Sequence, residues 1–266
     1  MAMGDTYRYE TPPVQTWNFF NDCLSQKHLL IAGQQGSGKS VFLHGLMTTI
    51  LADPPCKRSF VCIDLKQVEL CRYANVPHCL GYAETIEQAT SLLNNMTAKI
   101  KERYADMKAR GLRKYDGGII YIVIDELADL LLEDRGRKVE HMLSQIAMLG
   151  RACNIWLIAA TQLPSRKTLP ATITANMSAQ IALHCRSGIE SRQVITGFSG
   201  AVDLPRYGEC YYMNPDLYEP EKWKVPFTTD EQIDELVEWW QDSKHYKIIK
   251  KASKPHWWQK KKSPTA

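Results

Sequence analysis

The chain has 266 residues, 44% of them hydrophobic, with 33 Lys+Arg against 29 Asp+Glu. That is the profile of one sizeable globular domain able to bury its own core. The formal charge of +4 is unevenly spread: positions 244–266 hold eight Lys and no acidic residue, so positions 1–243 net −4. This excludes a uniformly basic nucleic-acid coat. The eight Cys include no Cys-x-x-Cys pair and several lie in apolar runs such as Phe60-Val61-Cys62-Ile63. They read as buried free thiols, not as zinc ligands or a disulfide framework, which implies a cytoplasmic setting. Met1 to Asp5 has neither the basic nor the apolar part of a secretory signal, and no run approaches the roughly 20 apolar residues of a membrane span.

Residues 1–27 are polar, carry Pro12-Pro13 and read as an N-terminal arm. Leu29 to Ala32 is a short apolar strand, followed by a glycine-rich turn and a helix over Ser40 to Leu51. A second buried strand is expected from Ser59 to Asp64. A long helix should run from about Glu84 to Arg110, with apolar residues at Ile86, Ala89, Leu92, Leu93, Met96 and Ile100 and a stop at Gly111. Ile119 to Ile124 is an unbroken apolar run of the kind found in a central parallel strand. Helices over Glu126 to Glu133 and Lys138 to Leu149 follow. Further strands are expected at Ile155 to Thr161, Gln180 to His184 and Glu209 to Met213, with a last helix near Thr229 to Gln241. This alternation predicts an α/β fold with a mainly parallel central sheet flanked by helices.

Gly33-Gln34-Gln35-Gly36-Ser37-Gly38-Lys39-Ser40 satisfies G-x-x-x-x-G-K-[ST] in full, between a strand and a helix. Its glycines let backbone N–H groups converge on an anion at a helix N-terminus. Lys39 would supply charge to the β- and γ-phosphates of ATP, and the Ser40 hydroxyl is a hard oxygen ligand suited to Mg²⁺. Downstream, a buried strand ends in Asp125-Glu126, at the strand edge where α/β sheets bind ligands. Asp125 would hold Mg²⁺ through water, and Glu126 would orient or deprotonate the attacking water. The same pair would also suit a plain acidic helix start; beside a phosphate loop, the chemical reading prevails. The next strand ends in Thr161-Gln162, either of which would sense the γ-phosphate. A polar turn before Pro164 is the alternative.

The ordered blocks resemble one family. His28-Leu29-Leu30-Ile31-Ala32-Gly33 leads into Gly36 to Val41. Asp64-Leu65-Lys66, Glu69-Leu70 and Val76-Pro77-His78 come next, then Glu102-Arg103-Tyr104, Ile124 to Leu130 and Gly150-Arg151-Ala152. Ala160-Thr161-Gln162 with Pro164-Ser165, Ala175-Asn176 and Ser191-Arg192 complete the series. From about His28 to Met213 the chain resembles the motor domain of the FtsK/SpoIIIE family of DNA translocases, in the FtsK–HerA group. The resemblance implies a RecA-like P-loop NTPase that forms a homo-hexameric ring and pulls double-stranded DNA through its pore using ATP and Mg²⁺, with no other small-molecule substrate. Nucleotide is then expected on Gly33, Gln34, Gln35, Gly36, Ser37, Gly38, Lys39, Ser40, Val41 and Asp125. The catalytic set is Glu126, Lys39, Gln162 and Arg151, the last as a finger reaching a neighbouring subunit. Arg192 is a candidate for nucleotide or DNA contact; Lys66 and Glu69 lie near the nucleotide side of the family fold without an assigned role.

Several departures bear on DNA. Leu163, Thr174 and Gly188 stand where relatives commonly carry basic residues, which removes phosphate contacts; Arg166 and Lys167 are placed to compensate. The expected organisation is an arm (1–27), a motor domain (28–226), a C-terminal helix (227–243) and a disordered basic tail (244–266). The tail, with Trp257-Trp258, reads as a solvated terminus, a nonspecific DNA contact or a contact with an anionic membrane. With 27 residues before the motor strand, the chain is expected to be a stripped-down motor like those of phages, plasmids and conjugative elements. It would be cytoplasmic and open to recruitment by a membrane or relaxosome partner. Two other functions fit the same motifs: a type VII-like protein-secretion ATPase, and a nucleotide-dependent adaptor without translocation.

Overall fold

The protein is described by a computed structural model covering residues 8–9, 12, 14, 16–134, 137–165, 168–242 and 246–247. Its elements run in chain order as β1 (Arg8–Tyr9), α1 (Asn18–Ser25), β2 (Leu29–Ala32), α2 (Lys39–Leu51), β3 (Arg58–Ile63), β4 (Cys79–Ala83), α3 (Ile86–Arg110), β5 (Ile119–Ile124), α4 (Leu127–Glu133) and α5 (Lys138–Leu149). Then come β6 (Ile155–Thr161), α6 (Ala171–Thr174), β7 (Ala179–Ala182), α7 (Gly188–Val194), β8 (Glu209–Met213), β9 (Glu221–Lys224), α8 (Asp230–Gln241) and β10 (Tyr246–Lys247).

Eight strands form one sheet in the order β4-β3-β5-β6-β2-β7-β8-β9. The first six are parallel; β8 and β9 add as antiparallel ribbons beyond β7. β1 and β10 make a separate two-stranded pairing. The central strands alternate faces with period two. In β5, Ile120, Ile122 and Ile124 join Leu93 and Met96 of α3 and Leu143 and Ile146 of α5 in one core layer. Tyr121 and Val123 join Leu43 and Leu46 of α2 and Leu236 and Trp240 of α8 in the other. Both faces of the sheet are therefore covered, which is why Ile119 to Ile124 reads as a continuous apolar run.

Local chemistry sets the helix ends. Thr85 caps α3 by accepting from Gln88 N, and Gly111 closes it at φ +68. Thr229 and Gln232 form a reciprocal capping box at the start of α8.

One segment differs from its expected role, and the expected C-terminal helix is found at Asp230–Gln241. Residues 18–25, read as part of a polar arm, form α1, whose Phe19, Phe20, Cys23 and Leu24 are buried in the sheet's core. The C-terminal helix is likewise integral: Trp240 Nε1 donates to Leu51 O at 2.9 Å, and Arg72 pairs with Asp230 and Asp234 at 2.7 Å each. The Cys reading holds for five buried thiols, but Cys56, in the turn before β3, and Cys71, at the start of a short 3-10 helix, are exposed. The tail beyond Lys247, with Trp257-Trp258, lies outside the described residues.

α1 rests on α2 at Gly45, where an added Cβ would come within 2.2 Å of the Phe20 ring. Phe20 is fully buried and has no room to yield. Overpacking of this kind costs about 1–3 kcal/mol, against the roughly 1 kcal/mol that Ala gains over Gly in a helix. Gly45→Ala should therefore lower stability, read as an earlier urea midpoint at unchanged slope. An unchanged midpoint would mean that α1 shifts freely on α2.

Candidate nucleotide site

β2, β6 and β5 are parallel neighbours, so their carboxyl ends meet at one edge of the sheet. The loop 33–38 leaves β2, Asp125-Glu126 leaves β5, and Gln162 leaves β6 between them. The phosphate loop is anchored on both sides: Gly33 N donates to Thr161 O at 3.3 Å and Gln34 N to His184 O at 2.9 Å. Gly36 and Gly38 take φ of +75 and +92, left-handed conformations that a side chain would strain. They turn the loop into the N-terminus of the 13-residue helix α2, whose free N–H groups and dipole favour an anion there. A cavity of about 320 Å³ opens onto Gln34, Gln35, Gly36, Gly38, Lys39, Ser40, Val41, Gln162 and Tyr207.

Lys39 is 4% exposed and donates to Asp125 O at 2.7 Å and to Asp125 Oδ1 at 2.5 Å. The cation is thereby held at the cavity floor by the carboxylate expected on magnesium. Ser40 Oγ donates to Glu69 Oε1 at 2.6 Å. A hydroxyl whose proton is committed to a carboxylate keeps its lone pairs for a cation, so Ser40 and Asp125 suit a divalent ion that takes its remaining ligands from water and phosphate. Among the described residues no cluster of three or more His, Cys, Asp or Glu could hold a metal by itself.

Glu126 is 8% exposed. Its Oε1 accepts from Thr161 Oγ1 at 2.6 Å and Ala128 N at 3.2 Å, and its Oε2 accepts from Gln162 N at 2.9 Å. Burial pushes its carboxyl above the usual range, partly offset by the Thr161 hydrogen bond and the Lys39 charge. The Thr161 hydroxyl therefore faces Glu126, and the Gln162 side chain is the one that borders the phosphate cavity.

The structure brings the phosphate loop, Asp125, Glu126 and Gln162 to one place, and it separates Arg151 from them. Arg151 precedes β6, at the opposite edge of the sheet, and seven strand residues span roughly 20 Å. There its Nη2 donates to Ser178 Oγ, beside a cavity of about 250 Å³ that Asn176, Gln180 and Asn214 also line. Arg151 also helps to push buried His28 down to about 3, after the larger effect of burial itself. Arg192 is exposed on α7. Arg166 and Lys167 lie outside the described residues.

Other residues from the ordered blocks make contacts outside the phosphate cavity. Buried Arg103 donates to Cys153 O at 2.7 Å and Asn154 O at 2.9 Å and lies over the Tyr115 ring. His78 packs edge-on against Trp240. Lys66 pairs with Asp129 at 2.9 Å, a hydrogen bond that raises its ammonium above the usual range.

Sequence reasoning passed over Arg206 and Tyr207. Their loop crosses the phosphate loop so closely that a Cβ on Gly36 would lie 3.3 Å from Arg206 Nη2. Tyr207, with Val41, Leu183, Val225 and Phe227, lines an apolar cavity of about 200 Å³ beside Ser37 and Gly38. No motif marks that loop.

The FtsK/SpoIIIE family model matches residues 18–120, from the start of α1 through the beginning of β5. The DNA translocase FtsK 1 of Neisseria meningitidis serogroup B is 30% identical over 250 residues, covering 81% of this chain and 30% of its own length. The chain carries an FtsK/SpoIIIE family domain. The DNA translocase FtsK of Campylobacter jejuni (strain 81-176) is 33% identical over 239 residues, covering 84% of the chain and 25% of that relative. The chain thus spans about a quarter to a third of the length of these curated relatives.

Among solved structures, the pCW3 conjugation coupling protein TcpA with ATPγS superposes with a TM-score of 0.68 at 21% identity, over 80% of this chain and 64% of that one. The cytoplasmic domain of the Thermomonospora curvata type VII secretion ATPase EccC gives 0.69 at 21% identity, over 80% and 27%. At such identity the likeness establishes the P-loop ATPase fold of this FtsK/SpoIIIE domain. Among the described residues no helix is long and apolar enough to cross a membrane.

Proposed function

We propose that this FtsK/SpoIIIE domain hydrolyses ATP and uses the energy to translocate double-stranded DNA as a cytoplasmic homo-hexameric ring. The observation that carries the reading is the buried Glu126, held by Thr161 and by the backbone of Gln162, a residue that lines the same cavity as Lys39 and Ser40. A site for binding alone has no use for a buried carboxylate at that point, which disfavours a nucleotide-dependent adaptor. The loop 33–38 with Lys39 would hold the triphosphate, and the apolar cavity lined by Tyr207, Val225 and Phe227 would take the base. Mg²⁺ would be held by the Ser40 hydroxyl and the Asp125 side and would neutralise charge on the phosphates. Arg151 at the far edge suits a finger that completes a neighbouring subunit's site. Arg166, Lys167, Arg192 and the Lys-rich tail are the cations offered to DNA. Any attachment to a membrane or a relaxosome would go through a partner.

A protein-secretion ATPase is the second reading. It draws support from the absence of basic residues at Leu163, Thr174 and Gly188 and from the common fold with EccC. The two readings part in one experiment: steady-state ATPase of the whole chain with and without duplex DNA. Turnover should rise several-fold with duplex, and the rise should fade with salt as Lys and Arg lose their phosphates. Turnover indifferent to duplex of every length would remove DNA as the substrate.

A further inference from the structure

Glu69 has no role in the nucleotide chemistry described so far, yet its position is built with care. Asp64, at the end of β3, accepts from Gln67 N at 2.9 Å through Oδ1, and from Glu69 N at 3.1 Å and Leu70 N at 2.9 Å through Oδ2. These bonds fold the segment after β3 into a tight turn, with Gln67 at φ +58. The turn delivers the Glu69 carboxylate to the first turn of α2. There Oε1 takes the Ser40 hydroxyl proton at 2.6 Å, and Oε2 meets His44 Nε2 at 3.2 Å. His44, one turn further along α2, is fixed in turn by Tyr73 OH at 2.8 Å from its Nδ1. Tyr73 is fully buried, so the chain Tyr73–His44–Glu69–Ser40 runs from the core to the lip of the phosphate cavity.

A serine hydroxyl binds a cation through oxygen lone pairs. It can equally turn its hydrogen toward that site, which repels the ion. A fixed anionic acceptor behind it removes that choice and makes the oxygen more electron-rich, as carboxylates do behind metal-bound histidines.

We propose that Glu69 is a positioning residue for magnesium: by accepting the Ser40 proton it orients and strengthens the hydroxyl that binds the nucleotide's Mg²⁺. The proposal rests on the nucleotide reading above, and its test separates the two. Binding of a fluorescent ATP analogue to the whole chain is titrated with Mg²⁺ and repeated in EDTA. Glu69→Gln should need about 10–100-fold more Mg²⁺ to reach half-maximal binding, the usual loss when an outer-shell partner is removed, with binding in EDTA unchanged. In a Ser40→Ala background the same substitution should add nothing, because its target is gone.

An unmoved Mg²⁺ midpoint, or equal weakening in EDTA, would overturn the proposal in favour of a packing role. A further, additive loss in the Ser40→Ala background would overturn it in favour of direct metal ligation by Glu69. Glu69→Asp, which keeps the charge on a shorter arm, should recover part of the lost Mg²⁺ affinity. Lys39→Ala is the control for the site itself. If that variant binds the analogue as the parent does, the nucleotide reading fails whatever Glu69 does.

Discussion

Glu126→Gln should give a protein that still binds ATP but hydrolyses it about 10²–10⁴-fold more slowly, the contribution of a positioned general base. The substitution is nearly isosteric, and most of the surrounding bonds survive it. The amide oxygen can keep the bond from Gln162 N, and the Thr161 hydroxyl, now 2.6 Å from Oε1, can rotate to accept from the new NH₂ group. What would be lost is the lone pair proposed to take the proton of the attacking water. Burial raises the Glu126 carboxyl, which makes it a stronger base above its own pKa and an idle one below it. The acid limb of the wild-type pH–rate profile should accordingly lie above the ordinary carboxylate range and disappear in the variant. Single-turnover hydrolysis combined with filter retention of labelled ATP separates the outcomes. Retained ATP with slow cleavage supports the base; undiminished cleavage would move the base elsewhere.

Much of this site was legible from the residues because chemistry there constrains sequence twice. The phosphate loop needs glycine where φ is positive, at Gly36 and Gly38, and a cation and hydroxyl where the helix begins. β5 is buried on both faces, so its apolar run is unbroken and its ends at Ile119 and Ile124 are sharp.

Elements that escaped lack such double constraint. All four residues of β9 are exposed, so Glu221 to Lys224 shows no face. β4 is an edge strand with Gly81 in its middle and a register irregularity against β3, which breaks the alternation. α1 has no side-chain cap, and its apolar residues come as Phe19-Phe20 and Cys23-Leu24 within polar surroundings, a stripe visible only once α2 offers Gly45 to receive it. Tyr207 and Arg206 reach the site through tertiary packing alone, some 170 positions from the loop they cover. Glu69 lies between these cases: its segment stood out in the ordered blocks, but its partner Ser40 is 29 positions away and only the fold joins them.

The acidic balance of positions 1–243 takes on a physical meaning at the site. Lys39 is the most buried Lys or Arg among the described residues, and it is paired with Asp125 at side-chain exposures of 4% and 5%. Lys39→Ala should therefore act twice. It removes the cation proposed to stabilise the γ-phosphoryl group, which should lower hydrolysis by about 10²–10³-fold or more. It also leaves Asp125 without its partner. Breaking a buried ion pair typically costs 3–5 kcal/mol, but this pair borders an open cavity of about 320 Å³, and water entering there should cut the penalty to about 1–2 kcal/mol.

Thermal melting and ATPase assays on one preparation test both parts. A modest fall in Tm with hydrolysis lost is the expected pair of results. Adding Asp125→Asn should restore the melt and leave hydrolysis lost, because the orphaned charge is then gone while the phosphate cation is still missing. If the double variant hydrolysed ATP again, Lys39 would serve only to neutralise Asp125, and the site's electrostatic logic would have to be rebuilt around Arg206, the other cation lying against the loop.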